Sequence, residues 1–89
     1  MPAVAVVLPP AFATLFPGSP RKVPLHAATI AEALAALEAR WPGMRDRICD
    51  STPAIRRHIT IFVTGERATL TTPLAPGDEI LVMTAISGG

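Results

Sequence analysis

The residues of this 89-residue chain that are best suited to chemistry are the last three, Ser87, Gly88 and Gly89. Glycine has no Cβ, so a diglycine can lie extended in a channel too narrow for other residues and present its carboxylate to a partner protein. A tail without function is the alternative explanation, because chain ends are often disordered. The ending therefore indicates a reactive carboxyl group only if the preceding residues form a domain that positions it.

Other side chains with chemical potential are few and scattered. The single cysteine, Cys49, could relay a persulfide, but such a residue is more typical of a passive, partly buried thiol. His26 and His58 lack the spacing of metal ligands, so no metal site is expected. Asp78 and Glu79 fall in a turn, where solvation and turn geometry explain adjacent carboxylates better than acid–base catalysis does. None of these groups outweighs the diglycine as a candidate reactive site.

Length and composition bound the class of protein. The chain is long enough for one domain, and its 49% apolar but only 4% aromatic residues predict a small aliphatic core. Eight Lys and Arg residues are dispersed among seven Asp and Glu residues, which predicts no nucleic-acid partner. No apolar run approaches the roughly 20 residues of a membrane helix, and no signal-peptide pattern is found. We therefore expect no membrane association and a cytoplasmic location.

Apolar patterning predicts the elements of the first half of the chain. An unbroken apolar run over residues 3–8 predicts a buried strand, and the turn signal Pro17-Gly18-Ser19-Pro20 predicts a reversal into a second strand over residues 22–26. Thr29 and Glu32 have the spacing of a capping box, which predicts a helix over residues 30–40. Pro42-Gly43 would end that helix, and residues 44–49 could add another helical turn.

The second half completes a sheet. Alternating residues predict a strand over residues 58–64, a turn at Thr64-Gly65-Glu66 and a short strand near residues 67–70. Pro76-Gly77-Asp78 predicts a turn into a last strand over residues 79–85. This order predicts an α+β fold of the ubiquitin-like β-grasp type, a mixed sheet of four to five strands covered by one main helix. We assign a β-grasp domain to residues 1–85 and a projecting, flexible diglycine tail to residues 86–89. A ferredoxin-like fold would need a second full helix.

Several short motifs stand in an order and spacing that is known from one protein family. The most specific is the Gly77-Asp78-Glu79 turn, which lies one strand before the terminal Gly88-Gly89. The other pieces are the early apolar strand, the helix start Thr29-Ile30-Ala31-Glu32-Ala33-Leu34 with Leu37 and Glu38, the stop Trp41-Pro42-Gly43, the strand Ile59–Val63 with Thr64-Gly65, Thr72-Pro73-Leu74 and Ser87. Together they span nearly the whole chain, which resembles the MoaD/ThiS-type ubiquitin-like sulfur-carrier proteins.

The resemblance implies a protein substrate and carrier, not an enzyme. A MoeB/ThiF-like adenylyltransferase would use ATP to convert the Gly89 carboxylate to an acyl-adenylate. A sulfur donor would then form a thiocarboxylate, which passes its sulfur to a sulfur-accepting synthase. The chain has no phosphate-cradling glycine motif of its own, so ATP is expected to bind the partner and no cofactor is expected on this chain. A metalloprotease that trims the tail is a further implied partner.

The sulfur acceptor could belong to the biosynthesis of cysteine, molybdopterin, thiamine or another sulfur metabolite. Molybdopterin-synthase small subunits usually carry Pro-Pro or Pro-Ala where this chain has Thr84-Ala85, which weakens that alternative, and many family members have Asn in place of Thr64. The segment Arg56-Arg57-His58-Ile59 resembles that of cysteine-forming and secondary-metabolite carriers. Two other functions stay open. One is a ubiquitin-like modifier joined through Gly89 to target lysines, and the other is an inert β-grasp interaction module.

Strand alternation also predicts where a partner would dock. If the aliphatic side chains of residues 59–63 face the helix, Phe62 points to the other side of the sheet. Either Leu81 and Met83 or Ile80 and Val82 must join it there. We predict that Phe62, Leu81 and Met83 form an exposed apolar patch, which Ile86 of the tail extends. The alternative is that residues 11–20 cover this face, because Phe12 and Phe16 also need burial.

Overall fold

The computed structural model of the chain describes residues 1–84, which form five strands and three helices in the order β1, α1, β2, α2, α3, β3, β4 and β5. Their bounds are Ala3–Val7 (β1), Phe12–Leu15 (α1), Lys22–His26 (β2), Ile30–Arg40 (α2), Met44–Ile48 (α3), Ile59–Val63 (β3), Glu66–Arg67 (β4) and Glu79–Thr84 (β5). The approximate ranges predicted for β2 and α2 agree with these bounds. The short helix α1 was not predicted, and Ala85 of the expected last strand lies outside the described residues.

The strands form one mixed sheet with the order β2-β1-β5-β3-β4. Strand β5 lies in the centre, parallel to β1 and antiparallel to β3. Strands β1 and β2 form the predicted antiparallel hairpin, and Pro24 of β2 is tolerated because β2 is an edge strand. The last strand of the described chain therefore occupies the middle of the sheet, as the β-grasp prediction requires.

The core lies between one face of this sheet and α2. The helix turns Ile30, Ala33, Leu34 and Leu37 inward, and each of them is at most 1% exposed. Alternate residues of the strands meet them; the most deeply buried are Val6, Val23, Ile61, Ile80 and Val82. Full burial of an aliphatic side chain of this size stabilises a fold by about 1.5–3 kcal/mol, so this layer is the main source of stability. No helix within residues 1–84 is long and apolar enough to cross a bilayer.

The N-terminus of α2 is capped by its own residues and by a distant segment. The Thr29 hydroxyl accepts a hydrogen bond from the backbone N–H of Glu32 at 3.2 Å, as predicted. The Glu32 carboxylate accepts from the N–H of Ala28 at 3.0 Å, one residue earlier than in the usual reciprocal box. The N–H groups of Ile30 and Ala31 donate to carbonyl oxygens of residues 72 and 70, so this end of the helix is tied to that loop.

This tie explains why the predicted short strand near residues 67–70 is present but begins one residue earlier and is shorter. The observed strand β4 covers only Glu66–Arg67 and follows a two-residue turn, Thr64-Gly65, in which both residues have positive φ (51° and 82°). The N–H of Ala68 still donates to the Ile61 carbonyl of β3 at 2.8 Å, and beyond it the chain turns away so that the Leu70 carbonyl accepts from α2 at 2.9 Å. Glu66, expected in the turn, therefore belongs to the strand.

Candidate functional site

The predicted reactive tail begins at the end of the central strand. Thr84, the last described residue, is the Cα partner of Ile59 at the start of β3. On the other side of β5, Leu81 is paired with Val7 at the end of β1. The site residues Ile86, Ser87, Gly88 and Gly89 lie outside the described residues, so their role stays a prediction.

The outward face of the sheet carries the apolar side chains that the sequence placed there. Leu81 is 37% and Met83 is 46% exposed, whereas Ile80 and Val82 are at most 2% exposed. Of the two alternatives for β5, it is therefore Leu81 and Met83 that face outward. Phe62, on β3, is half-buried and lies directly opposite Leu81. The structure therefore brings Phe62, Leu81 and Met83 together on one face; whether they bind a partner is a separate question.

The segment of residues 11–20 does not bury its two phenylalanines on this outward face. Phe12 is 3% exposed and belongs to the core, and its ring lies 5.6 Å from that of Phe16, centroid to centroid. The Phe16 ring in turn lies beside Gly43, where a Cβ would come within 3.7 Å of it, at the end of the helical layer. The burial of these aromatic rings is thus satisfied on the helix side of the sheet, and Leu81 and Met83 stay exposed.

Val7 is a member of the same surface that sequence reasoning missed. It is half-buried and is the Cα partner of Leu81 across the parallel β1–β5 pair. Strand β1 is apolar at every position, so periodicity could not tell which residues face outward. Only the register with β5 places Val7 there. We call Val7, Phe62, Leu81 and Met83 the outer patch.

The adjacent carboxylates at the start of β5 have structural partners. Asp78 accepts a hydrogen bond from the backbone N–H of Ala75 at 2.8 Å and another from the Thr64 hydroxyl at 3.3 Å. Glu79 forms an ion pair with Lys22 at 2.9 Å on the outward face. Their arrangement closes turns and joins strands, as the turn interpretation expected.

The cysteine and histidine residues do not form a reactive cluster in the described part of the chain. Cys49 is 5% exposed, and desolvation by burial raises the pKa of its thiol, which disfavours the nucleophilic thiolate that a persulfide relay needs. His26 ends an edge strand, whereas His58 precedes β3 on the far side of the sheet. Among residues 1–84 no three His, Cys, Asp or Glu side chains are placed to hold a metal ion.

Comparison with known proteins assigns the family. Residues 12–89 match the sequence model described as the ThiS family. The chain belongs to the ThiS family. Small archaeal modifier protein 1 of Haloferax volcanii is 34% identical to this ThiS-family chain over 62 residues, which cover 70% of this chain and 71% of that protein.

Solved structures agree with this assignment. A chain of the BexX/CysO complex from Amycolatopsis orientalis has a TM-score of 0.87 at 26% identity. The aligned region covers 98% of this ThiS-family chain and 100% of that chain. The crystal structure of small archaeal modifier protein 1 from Haloferax volcanii has a TM-score of 0.81 at 30% identity, and the aligned region covers 98% of this chain and 99% of that chain. CysO from Mycobacterium tuberculosis has a TM-score of 0.82 at 25% identity, and the aligned region covers 93% of this chain and 99% of that chain.

These comparisons confirm the predicted fold and family. The mixed five-stranded sheet is that of the ubiquitin-like β-grasp proteins, and the protein is a relative of small ubiquitin-like modifiers and MoaD/ThiS-type sulfur carriers. Such relatives are carriers or modifiers and not enzymes.

Proposed function

We propose that this protein is a sulfur carrier whose reactive group is the carboxylate of Gly89. The observation that supports this most strongly is the position of β5, the central strand of a ThiS-family β-grasp fold, directly before the sequence Ala85-Ile86-Ser87-Gly88-Gly89. A strand held on both sides by its neighbours is a rigid base from which a short glycine-ended segment can reach a partner's active site.

The proposed chemistry has two steps, both on partner enzymes. A Gly89 carboxylate oxygen attacks the α-phosphorus of ATP on a MoeB/ThiF-like adenylyltransferase, and pyrophosphate leaves. Hydrosulfide as the sulfur donor then attacks the acyl carbon, the bond from that carbon to the phosphate oxygen breaks as AMP leaves, and a thiocarboxylate forms. Activation is needed because a free carboxylate offers no good leaving group, whereas the mixed anhydride offers AMP. The thiocarboxylate is a soft anionic nucleophile that can pass sulfur to a small molecule on an acceptor enzyme.

The outer patch is the proposed docking surface for the adenylyltransferase. It combines an aromatic and three aliphatic or thioether side chains on the rigid centre of the sheet, and such groups dominate binding energy at interfaces. It also lies on the strand that leads into the tail, so a partner that covers Leu81 and Met83 would sit next to the segment it must receive.

The acceptor of the sulfur is a finer question. Thr84-Ala85 departs from the proline pair of molybdopterin-synthase small subunits, and the likeness to two CysO chains supports the broader MoaD-like group. A carrier meets the acceptor substrate only through its terminal atom, so the partner enzyme supplies the specificity. The genes beside this one would identify that enzyme; a synthase for cysteine, thiazole or molybdopterin would each point to one pathway.

Conjugation to proteins is the second candidate function. The relative with 34% identity is named a small archaeal modifier protein, and a modifier would use the same Gly89 adenylate with a target lysine amine as the acceptor. The two chemistries share their first step and differ only in the nucleophile that attacks the acyl carbon. One protein could therefore serve both.

Intact-mass measurement after incubation with an adenylyltransferase of the ubiquitin-activating type, ATP and sulfide tests the proposal. A sulfur carrier gains the mass of one oxygen replaced by sulfur, a modifier in cell extract gives higher-mass isopeptide adducts, and an inert module does not change. Deletion of Gly89 should abolish activation with little change in stability, because no described core residue lies beyond Val82. Addition of one alanine after Gly89 should abolish it equally. Activation of either variant would contradict the proposal.

A further inference from the structure

The net charge is only +1, but the acidic and the basic side chains differ in the partners they have within the protein. Four of the seven carboxylates accept hydrogen bonds from backbone N–H groups; they are Glu32, Glu38, Asp50 and Asp78. A fifth, Glu79, pairs with Lys22, which is the one ion pair within residues 1–84. The remaining two, Asp46 and Glu66, form no ion pair within residues 1–84, so the arginine side chains have no carboxylate partner in the described part of the chain. Their charge is available to another molecule.

Two of these arginines stand at one border of the outer patch. Arg67 is the Cα partner of Phe62 across the β3–β4 pair, so its side chain lies on the same outward face as the Phe62 ring. Arg57 is exposed and lines, together with Arg67 and Thr60, a shallow hollow of about 230 Å³ beside β3. Glu66, the carboxylate nearest in sequence to Arg67, is opposite Val63 and so faces the other side of the sheet. We call Arg57 and Arg67 the arginine rim.

The opposite border of the outer patch holds an ion pair and one further arginine. There Lys22 on β2 and Glu79 on β5 neutralise each other at 2.9 Å. Arg21, next to β2, has no ion-pair partner within residues 1–84 and lines a hollow with Leu81 and Met83. The patch is consequently apolar in the middle, with one such arginine toward β2 and two toward β4. This asymmetry gives the surface a direction that its apolar centre alone would lack.

We infer that the surface which receives the outer patch is acidic where it meets Arg57 and Arg67. This inference rests on the proposed function, and it adds the chemistry of the partner. A guanidinium group matches a carboxylate with two parallel N–H···O bonds, so Asp or Glu side chains on the partner would pair with the arginine rim and fix the rotation of the carrier on the docking surface. The tail that follows Thr84 would then enter the partner in one orientation.

The charge also has a kinetic consequence. Unpaired charges at the border of an interface act mainly on the rate of association, because they attract the opposite surface before contact. This attraction is screened by salt, and the Debye length falls from roughly 30 Å at 0.01 M to roughly 3 Å at 1 M. Rapid, salt-sensitive association with the adenylyltransferase is therefore expected. RNA is a less suitable partner, because it calls for a longer cationic track than two arginines provide.

The test compares two doubly substituted proteins with equal net charge. R57Q/R67Q removes the arginine rim, and R40Q/R45Q removes two arginines of the helical layer, Arg40 at the end of α2 and Arg45 in α3. Association and dissociation rates are measured by stopped flow with the purified adenylyltransferase from the same genome at roughly 0.01 M and 1 M salt. Retention of a fluorescent single-stranded RNA 20-mer is measured in parallel, and thiocarboxylate formation is followed by intact mass at saturating enzyme.

For R57Q/R67Q we expect an association rate roughly tenfold lower at low salt, nearly equal to wild type at high salt, and a dissociation rate changed far less. R40Q/R45Q should stay within about twofold of wild type at both salt concentrations. An equal decrease in association rate for the two double variants would overturn the inference, and so would a wild-type association rate that does not depend on salt. If the thiocarboxylate still forms in those cases, the proposed function is unaffected. Loss of RNA retention without a change in enzyme association would overturn the inference as well. Wild-type protein that binds with salt-sensitive rates but is never adenylated would contradict the proposed function and leave the acidic docking surface supported.

Discussion

Phe62 of β3 and Leu81 of β5 are directly opposed across an antiparallel pair, on the face of the sheet that α2 does not cover. Their neighbours Ile61 and Ile80 are each 1% exposed on the other face. One pair of strands thus builds the core with one set of side chains and an apolar surface with the other. Substitutions on the outward set can change binding while the core stays intact.

The first prediction concerns the outer patch. Phe62→Ser should weaken the complex with the adenylyltransferase about tenfold or more, because it removes an aromatic group from the centre of the proposed interface. Leu15→Ser, which changes an apolar side chain that is 43% exposed on α1, is the matched control and should leave the affinity unchanged. Isothermal titration gives the affinities, and denaturant unfolding confirms that both variants fold. Equal affinity of F62S and wild type would remove Phe62 from the docking surface.

The second prediction concerns the turn between β3 and β4. Thr64 has φ 51°, a left-handed conformation that costs a β-branched residue about 1–2 kcal/mol. Asparagine adopts this conformation more easily, so Thr64→Asn should raise the free energy of unfolding by about 1 kcal/mol in denaturant titrations. Thr60→Asn, in the extended backbone of β3, should instead lower it. A loss of stability in T64N would mean that the hydrogen bond from Thr64 to Asp78 matters more than the backbone strain.

The third prediction concerns the start of α2. Thr29→Ala removes the hydroxyl that accepts from the Glu32 N–H and should cost about 1 kcal/mol of unfolding free energy. Glu32→Ala removes the carboxylate that accepts from the Ala28 N–H. Since both groups fix the same turn, the double variant should lose less than the two single losses added together. Strict additivity in a double-mutant cycle by chemical denaturation would show that the two hydrogen bonds act independently.

The fourth prediction concerns pH. The carboxylate of Glu38 on α2 accepts hydrogen bonds from the backbone N–H groups of Gly43 at 2.9 Å and Arg45 at 3.0 Å, at the start of α3. These bonds lower the pKa of Glu38 below its ordinary value of 4.5, and the bond from Gly43 has the largest effect. A group whose folded pKa is depressed adds stability above its unfolded pKa, and this stability is lost as the pH falls through the folded pKa.

Wild type should therefore be more stable than Glu38→Gln at pH 7, and the difference should shrink as the pH is lowered below about 4.5. Denaturant unfolding of both proteins between neutral and acidic pH measures this difference. Glu66→Gln, at an exposed carboxylate without a hydrogen bond in the described residues, is the control and should show a smaller change over the same range. A difference between wild type and E38Q that is independent of pH would contradict the role assigned to these bonds.

The accuracy of the sequence predictions varied with how local the determining forces are. The approximate ranges predicted for strand β2 and helix α2 agree with the structure, because prolines, the Thr29 cap and the Pro42-Gly43 stop act within a few residues of the boundaries they set. Strand β4 was misplaced because its end is set by carbonyl groups that turn to the N-terminus of α2, nearly 40 residues earlier in the chain. Helix α1 was missed because the core contact of Phe12 exists only after folding.

For the candidate site as well, some features could be predicted from the sequence and others could not. The sequence by itself determined the family, the order of the elements other than α1, the diglycine ending and the alternation that puts Phe62 outside, because these follow from residue types and from the two-residue period of a strand. Only the tertiary structure decided that β5 turns Leu81 and Met83 outward, that Val7 lies beside them and that Arg67 borders them. Register between strands distant in sequence places these side chains, and it is the folded arrangement of residues 1–84 that gives no arginine a carboxylate partner there. Neither property is encoded within any short stretch of the chain.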